Sequence, residues 1–472
     1  MSLEHRGAQE LLRSPSHSAR EKLENEDMKT FALMLVSSIA LLSVATASPA
    51  SDLLEQGVQF MASHYHGYST VQPLELGARL QAELEAVCAG NLSCSADTAT
   101  PFLQRLASGM NDGHTSYLSP SSYQRTLQEF SGVSSNSNPS YGFQIGDSNS
   151  RGEVLIEDVV ADSPAFKGGL RPFDRVVSVG AERLTTPNAV ARFRALIQTD
   201  APVRLSVVRG DARLPARAMV TMQRRKLEKT NLPFLYRPAG VPSGTLVMRF
   251  PTFVGSNDIA PRTHALVAQA QALGAKTIVI DLRGNGGGEE TECYGASSAF
   301  VGRAVNINET VAQQVLVGFD GGRFVGNDPQ DPNRYEITKP ALWQGGVAVL
   351  VDDGTASCGE LMAYIIQQKK RGPVIGSQTY GVLDTATEYW KLTNGSALAI
   401  TYVRTINEDG TRVPESVRPD IEARFDPRAI NETGRDAMLE LAIQALNPPK
   451  VTLIPRLPVL LEPLIGFGER GL

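Results

Sequence analysis

The stretch TIVIDLRGNGGGEE, residues 277–290, limits the fold more than any other part of the chain. Six mostly apolar residues end in a glycine-rich turn, and a helical pattern follows the turn. A short apolar run bounded by turn residues reads as a strand buried on both faces, and such strands occur where helices cover a sheet. The same order recurs in VAVLVDDGTASCGELMAYIIQQ, residues 347–368. Strands alternating with helices from about Thr245 to Arg424 therefore predict a layered α/β core over 245–424.

The segments ahead of this core differ in character. Over residues 52–130, apolar positions recur at helical spacing, as in LLEQGVQFMASHY and LGARLQAELEAV, which predicts a helical N-terminal region. A polar linker, Ser131–Ser140, follows. Residues 141–225 are short apolar or alternating runs bounded by Gly, Asp and Pro, interrupted by two helical pieces, SPAFKGGL and TPNAVARFRALIQ. This predicts a compact β-rich module. The tail over 448–472 is apolar but broken by proline.

Residues 1–47 do not read as fold. Met28-Lys29 opens a positive, then apolar, then small-residue stretch ending at Ala45-Thr46-Ala47, the pattern of a secretory signal peptide cleaved near Ala47. The polar Met1–Asp27 stretch ahead of it is an N-terminal extension, and Met28 is the simpler initiator. An exported protein with no stable membrane span after cleavage is the expectation, in the periplasm or secreted. Cys88 and Cys94 bracket a short polar loop that a disulfide can close in an oxidising compartment. The net charge of −5 and the lack of a long basic run argue against a nucleic-acid partner.

Two local patterns carry chemistry. The glycines at 284 and 286–288 permit positive φ and let backbone N–H groups face a ligand. The turn lacks the Lys-Ser/Thr of a phosphate-binding loop, so an oxyanion hole is the better reading. Ser357 lies at the start of the helical run GELMAYIIQQKK, where the free N–H groups and the dipole favour negative charge. The amide of Cys358, with that of Gly287 or Gly288, supplies the oxyanion donors. Alone, Ser357 reads more readily as a helix cap, and only its combination with the glycine turn and a base favours a nucleophile.

The ordered motifs DLRGNGGG, TASCGE, GSQTYG and ESVRPD, preceded by DGHTSYLSP and the β-rich module, resemble the S41 peptidase family of carboxyl-terminal processing proteases. The resemblance runs from about Asp52 to Arg424 and implies a serine endopeptidase. It also marks 141–225 as similar to a PDZ domain, with Tyr141, Gly142, Phe143 and Ile145 facing a bound polypeptide tail. Phe173 stands where PDZ domains usually carry Gly.

The chain departs from the usual Ser-Lys pattern of this family. Val382 occupies the position of the catalytic Lys, and Ala386 that of the following Gln. Lys369 and Lys370 lie too far along the helix from Ser357 to replace it. A second branch of the family, resembling the tricorn core and the nisin-resistance protein, pairs Ser with His, which points to His114 in Gly113-His114-Thr115 as the base. By the same resemblance Glu415 is the third residue, with Asp112 and Asp384 as rivals. His64 and His66 match no zinc pattern, and His264 is expected to be solvated.

Cys293 and Cys358 are expected to be small buried hydrophobes, a redox-sensitive pair being the alternative. No metal or organic cofactor is required. The partner expected is a polypeptide with an apolar, exposed tail, and a homo-oligomer is one arrangement the chain allows. Alternatives are a catalytically silent protein that binds C-terminal tails, and an esterase using the same serine.

Overall fold

The computed structural model describes residues 48–131, 138–255, 257–326 and 334–447. The signal-peptide stretch, the middle of the polar linker and the tail from Pro448 lie outside the described residues.

The N-terminal region contains α1 (Pro49–His64), α2 (Pro73–Cys88) and α3 (Thr100–Gly109), then β1 (Ser116–Leu118) and α4 (Pro120–Phe130). Ser48 caps α1 through the Ser51 amide, with Pro49 in the first turn where no N–H is needed. Leu53, Leu54, Val58 and Met61 recur at helical spacing and are buried. Cys88 and Cys94 form a disulfide that closes the loop after α2.

These helices do not form their core alone. Leu392, Leu398 and Ile400 from a strand hairpin almost three hundred residues away complete it. β1 pairs antiparallel with the same hairpin, Ser116 opposite Ala399.

The central module contains β2 (Phe143–Ser148), β3 (Val154–Val159), α5 (Pro164–Lys167), β4 (Arg175–Val179), β5 (Glu182–Arg183), α6 (Ala189–Leu196), β6 (Val203–Arg209) and β7 (Ala216–Met222). Its strands run in the order β2-β3-β4-β6-β7, with β5 beside β4. Ile156, Phe193, Leu205 and Val207 fill its interior. β2 is an edge strand, and Phe143 on it lies 6.0 Å from the Phe193 ring of α6.

The third region contains β8 (Phe234–Tyr236), β9 (Thr245–Arg249), α7 (Ile259–Ala272), β10 (Thr277–Asp281), α8 (Glu290–Val301), β11 (Arg303–Glu309), β12 (Gln314–Asp320), β13 (Arg323–Gly326), β14 (Gly346–Val351), α9 (Cys358–Gln368), β15 (Val374–Gly376), β16 (Thr385–Lys391), β17 (Ala397–Ile406), β18 (Ile421–Glu422), α10 (Pro427–Thr433) and α11 (Ala437–Leu446). One sheet runs β18-β15-β14-β10-β9-β8 and is parallel except at β8. Ile278 and Ile280 of β10 pack to one side with residues of α7, α8 and α9. Val279 packs to the other with Met438 and Leu439 of α11. That alternation is the period-two signature of a strand covered on both faces. The second sheet of this region, β1-β17-β11-β12-β13 with β16 beside β17, is antiparallel.

The structure corrects the expectation for His264. It is 1 % exposed, with Nε2 near Gly295 O and Ser298 Oγ, and Nδ1 accepting from the Ala341 amide. The apolar face of α7 turns inward there, so the imidazole serves as a hydrogen-bonded core group.

Arg283, the first residue of the glycine turn, joins three parts of the chain. Its guanidinium meets Asp281 at 2.7 Å and Asp436, the cap of α11, at 2.9 Å. It lies 4.5 Å from the centroid of Phe425 and 5.3 Å from that of Phe173. Phe173 holds a left-handed φ of 66°, a conformation glycine adopts freely. Contact with a cation and a second ring accompanies that strain.

Arg283 is 4 % exposed. Removing it leaves two buried carboxylates without their shared partner, which typically costs about 3–5 kcal/mol. Arg283→Met is therefore expected to lower the urea midpoint by a stability loss of that size, whereas Arg418→Met on the exposed surface leaves it unchanged.

Candidate active site

β14 ends at Val351, and the turn after it is laced to the glycine turn after β10. Asp352 Oδ1 accepts from the Gly284 amide at 2.8 Å, Thr355 Oγ1 reaches Leu282 O at 3.0 Å, and the Ala356 amide donates to Asn285 O at 2.9 Å. Two adjacent parallel strands thus deliver both motifs to one end of the sheet, where such sheets characteristically bind ligands. A Cβ added at Gly287 would lie 2.7 Å from Ser357 Cβ, so only glycine permits this approach.

Ser357 sits at the N-cap position of α9 with φ 51° and ψ −119°. Left-handed backbone at a non-glycine residue persists only where the surroundings impose it. The imposing group is Glu360, whose side chain is fully buried. Its carboxylate accepts from the Ser357 amide at 2.8 Å, Thr379 Oγ1 at 2.5 Å, the Gly381 amide at 2.9 Å and the Val382 amide at 3.0 Å. Burial pushes the carboxyl pKa up, and these hydrogen bonds pull it back. Sequence reasoning read Glu360 as part of a motif and gave it no role. Its signal was a carboxylate three residues after an N-cap serine, the spacing of a capping box.

The glycine amides are not equivalent. Gly287 N–H is committed to Asn285 Oδ1 at 2.9 Å. Gly288 has φ 148°, and a Cβ there would collide with the Phe253 backbone at 2.1 Å. Among the described residues the Gly288 amide donates no hydrogen bond, and Cys358 opens α9, where amides have no intrahelical acceptor. Of the donors expected from the sequence, Gly288 and Cys358 have free amides and Gly287 does not.

His114 reaches this site because its turn is fastened to β17. The Asp112 carboxylate accepts from the His114 amide at 2.9 Å, Thr401 Oγ1 at 2.8 Å and Tyr65 O–H at 2.7 Å. Thr401 also donates its amide to Thr115 Oγ1 at 3.2 Å. Gly113 packs on Val382, where a Cβ would come within 2.8 Å of Cγ1. Val382 is therefore a 4 % exposed hydrophobe beneath the histidine turn.

The His114 ring places Nδ1 2.9 Å from Thr385 Oγ1. It keeps some accessible surface but is densely surrounded, and that desolvation lowers its pKa to about 4 despite the charge of Asp112. His114, Ser357, Gly288, Cys358 and Thr385 all line one cavity of about 890 Å³.

Other candidates sit apart from this cavity. Glu415 is exposed, and its backbone carbonyl receives the Leu383 amide. Among the described residues the His114 ring hydrogen-bonds Thr385 and not Glu415. Asp384 pairs with Arg412 at 2.6 Å. His64 stacks on Trp390 at 4.7 Å, and His66 meets Glu309 at 3.2 Å. No group of three His, Cys, Asp or Glu side chains among the described residues is arranged to hold a metal ion.

Tyr141, Gly142, Phe143 and Ile145 lie in the central module, outside the cavity. The Tyr141 hydroxyl is committed to the carbonyls of Ile197 and Thr199, at 3.1 Å and 3.2 Å.

Cys293 and Cys358 are joined in a disulfide, which replaces the expectation of two unpaired hydrophobic sulfurs. The two motifs meet at the head of the sheet, so cysteines 65 apart in sequence have Cα atoms 5.6 Å apart. The bridge ties α8, which follows the glycine turn, to α9, which follows Ser357.

Residues 244–423 match the model of peptidase family S41. The carboxy-terminal processing protease CtpA of Bacillus subtilis is 24% identical over 330 residues, which cover 68% of this chain and 63% of that protein. A Staphylococcus aureus protein described as a CtpA-like serine protease is 23% identical over 278 residues, or 57% of this chain and 50% of its own. The chain thus spans between half and two thirds of the length of these curated relatives. A solved photosystem II D1 C-terminal processing protease aligns with a TM-score of 0.42 and 19% identity, over 84% of this chain and 97% of that one.

The bridge between α8 and α9 closes a long loop, and such a cross-link typically contributes about 2–4 kcal/mol. The double variant Cys293→Ser, Cys358→Ser is expected to lose stability in that range in thermal unfolding. Intact mass of the non-reduced wild type should show every cysteine paired, and free thiols at 293 and 358 would contradict the bridge.

Proposed function

We propose that the chain, whose residues 244–423 match the model of peptidase family S41, is an exported serine endopeptidase working through a Ser357–His114 pair. The observation that carries the reading is the shared cavity. Ser357, His114 and the amides of Gly288 and Cys358 line it together, while Val382 fills the place of the family's Lys.

A substrate peptide bond in the cavity would present its carbonyl carbon to Ser357 Oγ. His114 takes the hydroxyl proton on Nε2, since Nδ1 is engaged by Thr385. Negative charge developing on the carbonyl oxygen is met by the amides of Gly288 and Cys358 at the start of α9. Collapse of that intermediate returns the proton from His114 to the departing amine and leaves an ester on Ser357. A water molecule, deprotonated by the same imidazole, then hydrolyses the ester.

The central module would supply the polypeptide. Among the described residues β2 has an unpaired edge beside α6, the arrangement to which an extended chain adds as a further strand. Gly142, at φ 80° before β2, leaves its loop free of side-chain obstruction, and Phe143 and Ile145 would receive an apolar tail. The two disulfides agree with an oxidising compartment, and no described helix is long and apolar enough to cross a membrane.

Ser357→Ala is expected to abolish hydrolysis of an unfolded protein with an apolar C-terminus while retaining binding of that tail. Wild-type cleavage by the variant would refute the mechanism. Binding by a wild type that never cleaves would mark a silent tail-binding protein instead.

The pH profile gives a second test. An imidazole with a pKa near 4 is already neutral, and so competent as a base, well below the usual 6.5. The acidic limb of kcat/KM should therefore lie near pH 4–5, and a limb near 6.5 would contradict the buried base. The same depression means the unfolded chain binds this proton first. The contribution of His114 to stability is complete above about pH 6.5 and is lost as pH falls toward 4.

A further inference from the structure

The His114 ring meets a hydroxyl where a Ser-His pair ordinarily relies on an acidic third group. We propose that Thr385 is the positioning residue of the site, fixing His114 in the tautomer that leaves Nε2 as the base. The proposal rests on the Ser357–His114 reading and adds a role that neither the Glu415 expectation nor the family motifs assign.

His114 Nδ1 lies 2.9 Å from Thr385 Oγ1. A neutral imidazole carries one N–H, and its position is set by the hydrogen bond that the ring makes. With Thr385 Oγ1 accepting from Nδ1–H, the Nε2 lone pair remains for the Ser357 proton. Asp112 is engaged elsewhere, its Oδ1 accepting from the His114 amide and Thr401 Oγ1 and its Oδ2 from Tyr65 O–H.

Both partners of the contact are fastened to one strand, β17. Thr385 opens β16 and stands opposite Arg404 of β17. His114 is held through Asp112 and Thr115 to Thr401 of the same β17. A shared strand fixes the separation of ring and hydroxyl without relying on loop order. Toward the nucleophile, the loop before Thr385 is held at Gly381 and Val382 by Glu360, the same carboxylate that holds the Ser357 amide. Thr385 is thus referenced to the base on one side and to the nucleophile on the other.

The chemical character of the partner has a consequence. A carboxylate at Nδ1 would stabilise the imidazolium and raise its pKa, whereas a neutral hydroxyl orients the ring with little charge stabilisation. A hydroxyl partner therefore suits a base that stays neutral in acid, in agreement with the depressed His114 pKa.

Three variants of the full mature chain test this, with kinetics and nitrogen-15 NMR of histidine-labelled protein at pH 7. Wild-type His114 is expected to carry its proton on Nδ1, and in Thr385→Val the proton should redistribute toward Nε2. Thr385→Val should lower kcat by about 10- to 100-fold with KM little changed. Thr385→Ser, which keeps the hydroxyl, should restore most of kcat. Thr385→Asp should move the acidic limb of the pH profile upward.

A wild-type proton on Nε2, or full kcat with an unmoved pH profile in Thr385→Val, would overturn the proposal. So would a Ser variant as impaired as the Val variant, since the methyl packing and not the hydroxyl would then matter. The tautomer is read without turnover, so failure of the Ser357–His114 mechanism, judged on Ser357→Ala, is distinguishable from failure of the role given to Thr385.

Discussion

The buried carboxylate of Glu360 is the interaction on which the site depends. Four donors from two segments converge on it: the Ser357 amide, and then Thr379, Gly381 and Val382 from the loop ahead of β16. An ionised carboxylate taken out of water is costly unless every lone pair is met, and here the donors are mostly backbone amides that cannot move away. The arrangement holds Ser357 in a left-handed conformation and sets the path of the chain that reaches Thr385. Val382 contributes its amide and not its side chain to this clamp.

The second constraint is the return of the N-terminal region onto β17. α1 to α3 bury their apolar faces partly against Leu398 and Ile400, and β1 adds to the same sheet. That packing carries Gly113-His114-Thr115 over Val382 and into the cavity. His114 and Ser357, the proposed base and nucleophile, thus come to line one cavity through hydrophobic burial elsewhere, with Asp112 fixing the final turn. The central β-rich module, inserted between these two parts of the sequence, contacts the core through Phe173 and Arg283 and through the ion pair of Arg249 with Asp158.

Much of this was legible in the residues. The buried strand TIVID, the glycine turn and the serine at a helix start follow from local pattern, since periodicity and turn chemistry are local properties. The position of His264 was not, because one polar residue on an amphipathic helix does not reveal which way it faces. The Cys293–Cys358 bridge was legible only as the alternative to unpaired sulfurs, because it depends on two strand ends lying side by side. Thr385 had no sequence signal at all: a threonine at the start of a strand is ordinary, and only the fold sets it against His114. Likewise, Gly287 and Gly288 are indistinguishable in sequence, and the Asn285 side chain separates them.

The central claim is that Ser357 is a nucleophile activated by a histidine from the far side of the chain. Covalent labelling with a fluorophosphonate, mapped by peptide mass spectrometry, tests it most directly. Modification of Ser357 is expected in the wild type, and its loss in His114→Ala. An unlabelled Ser357, or labelling that is indifferent to His114, would contradict it.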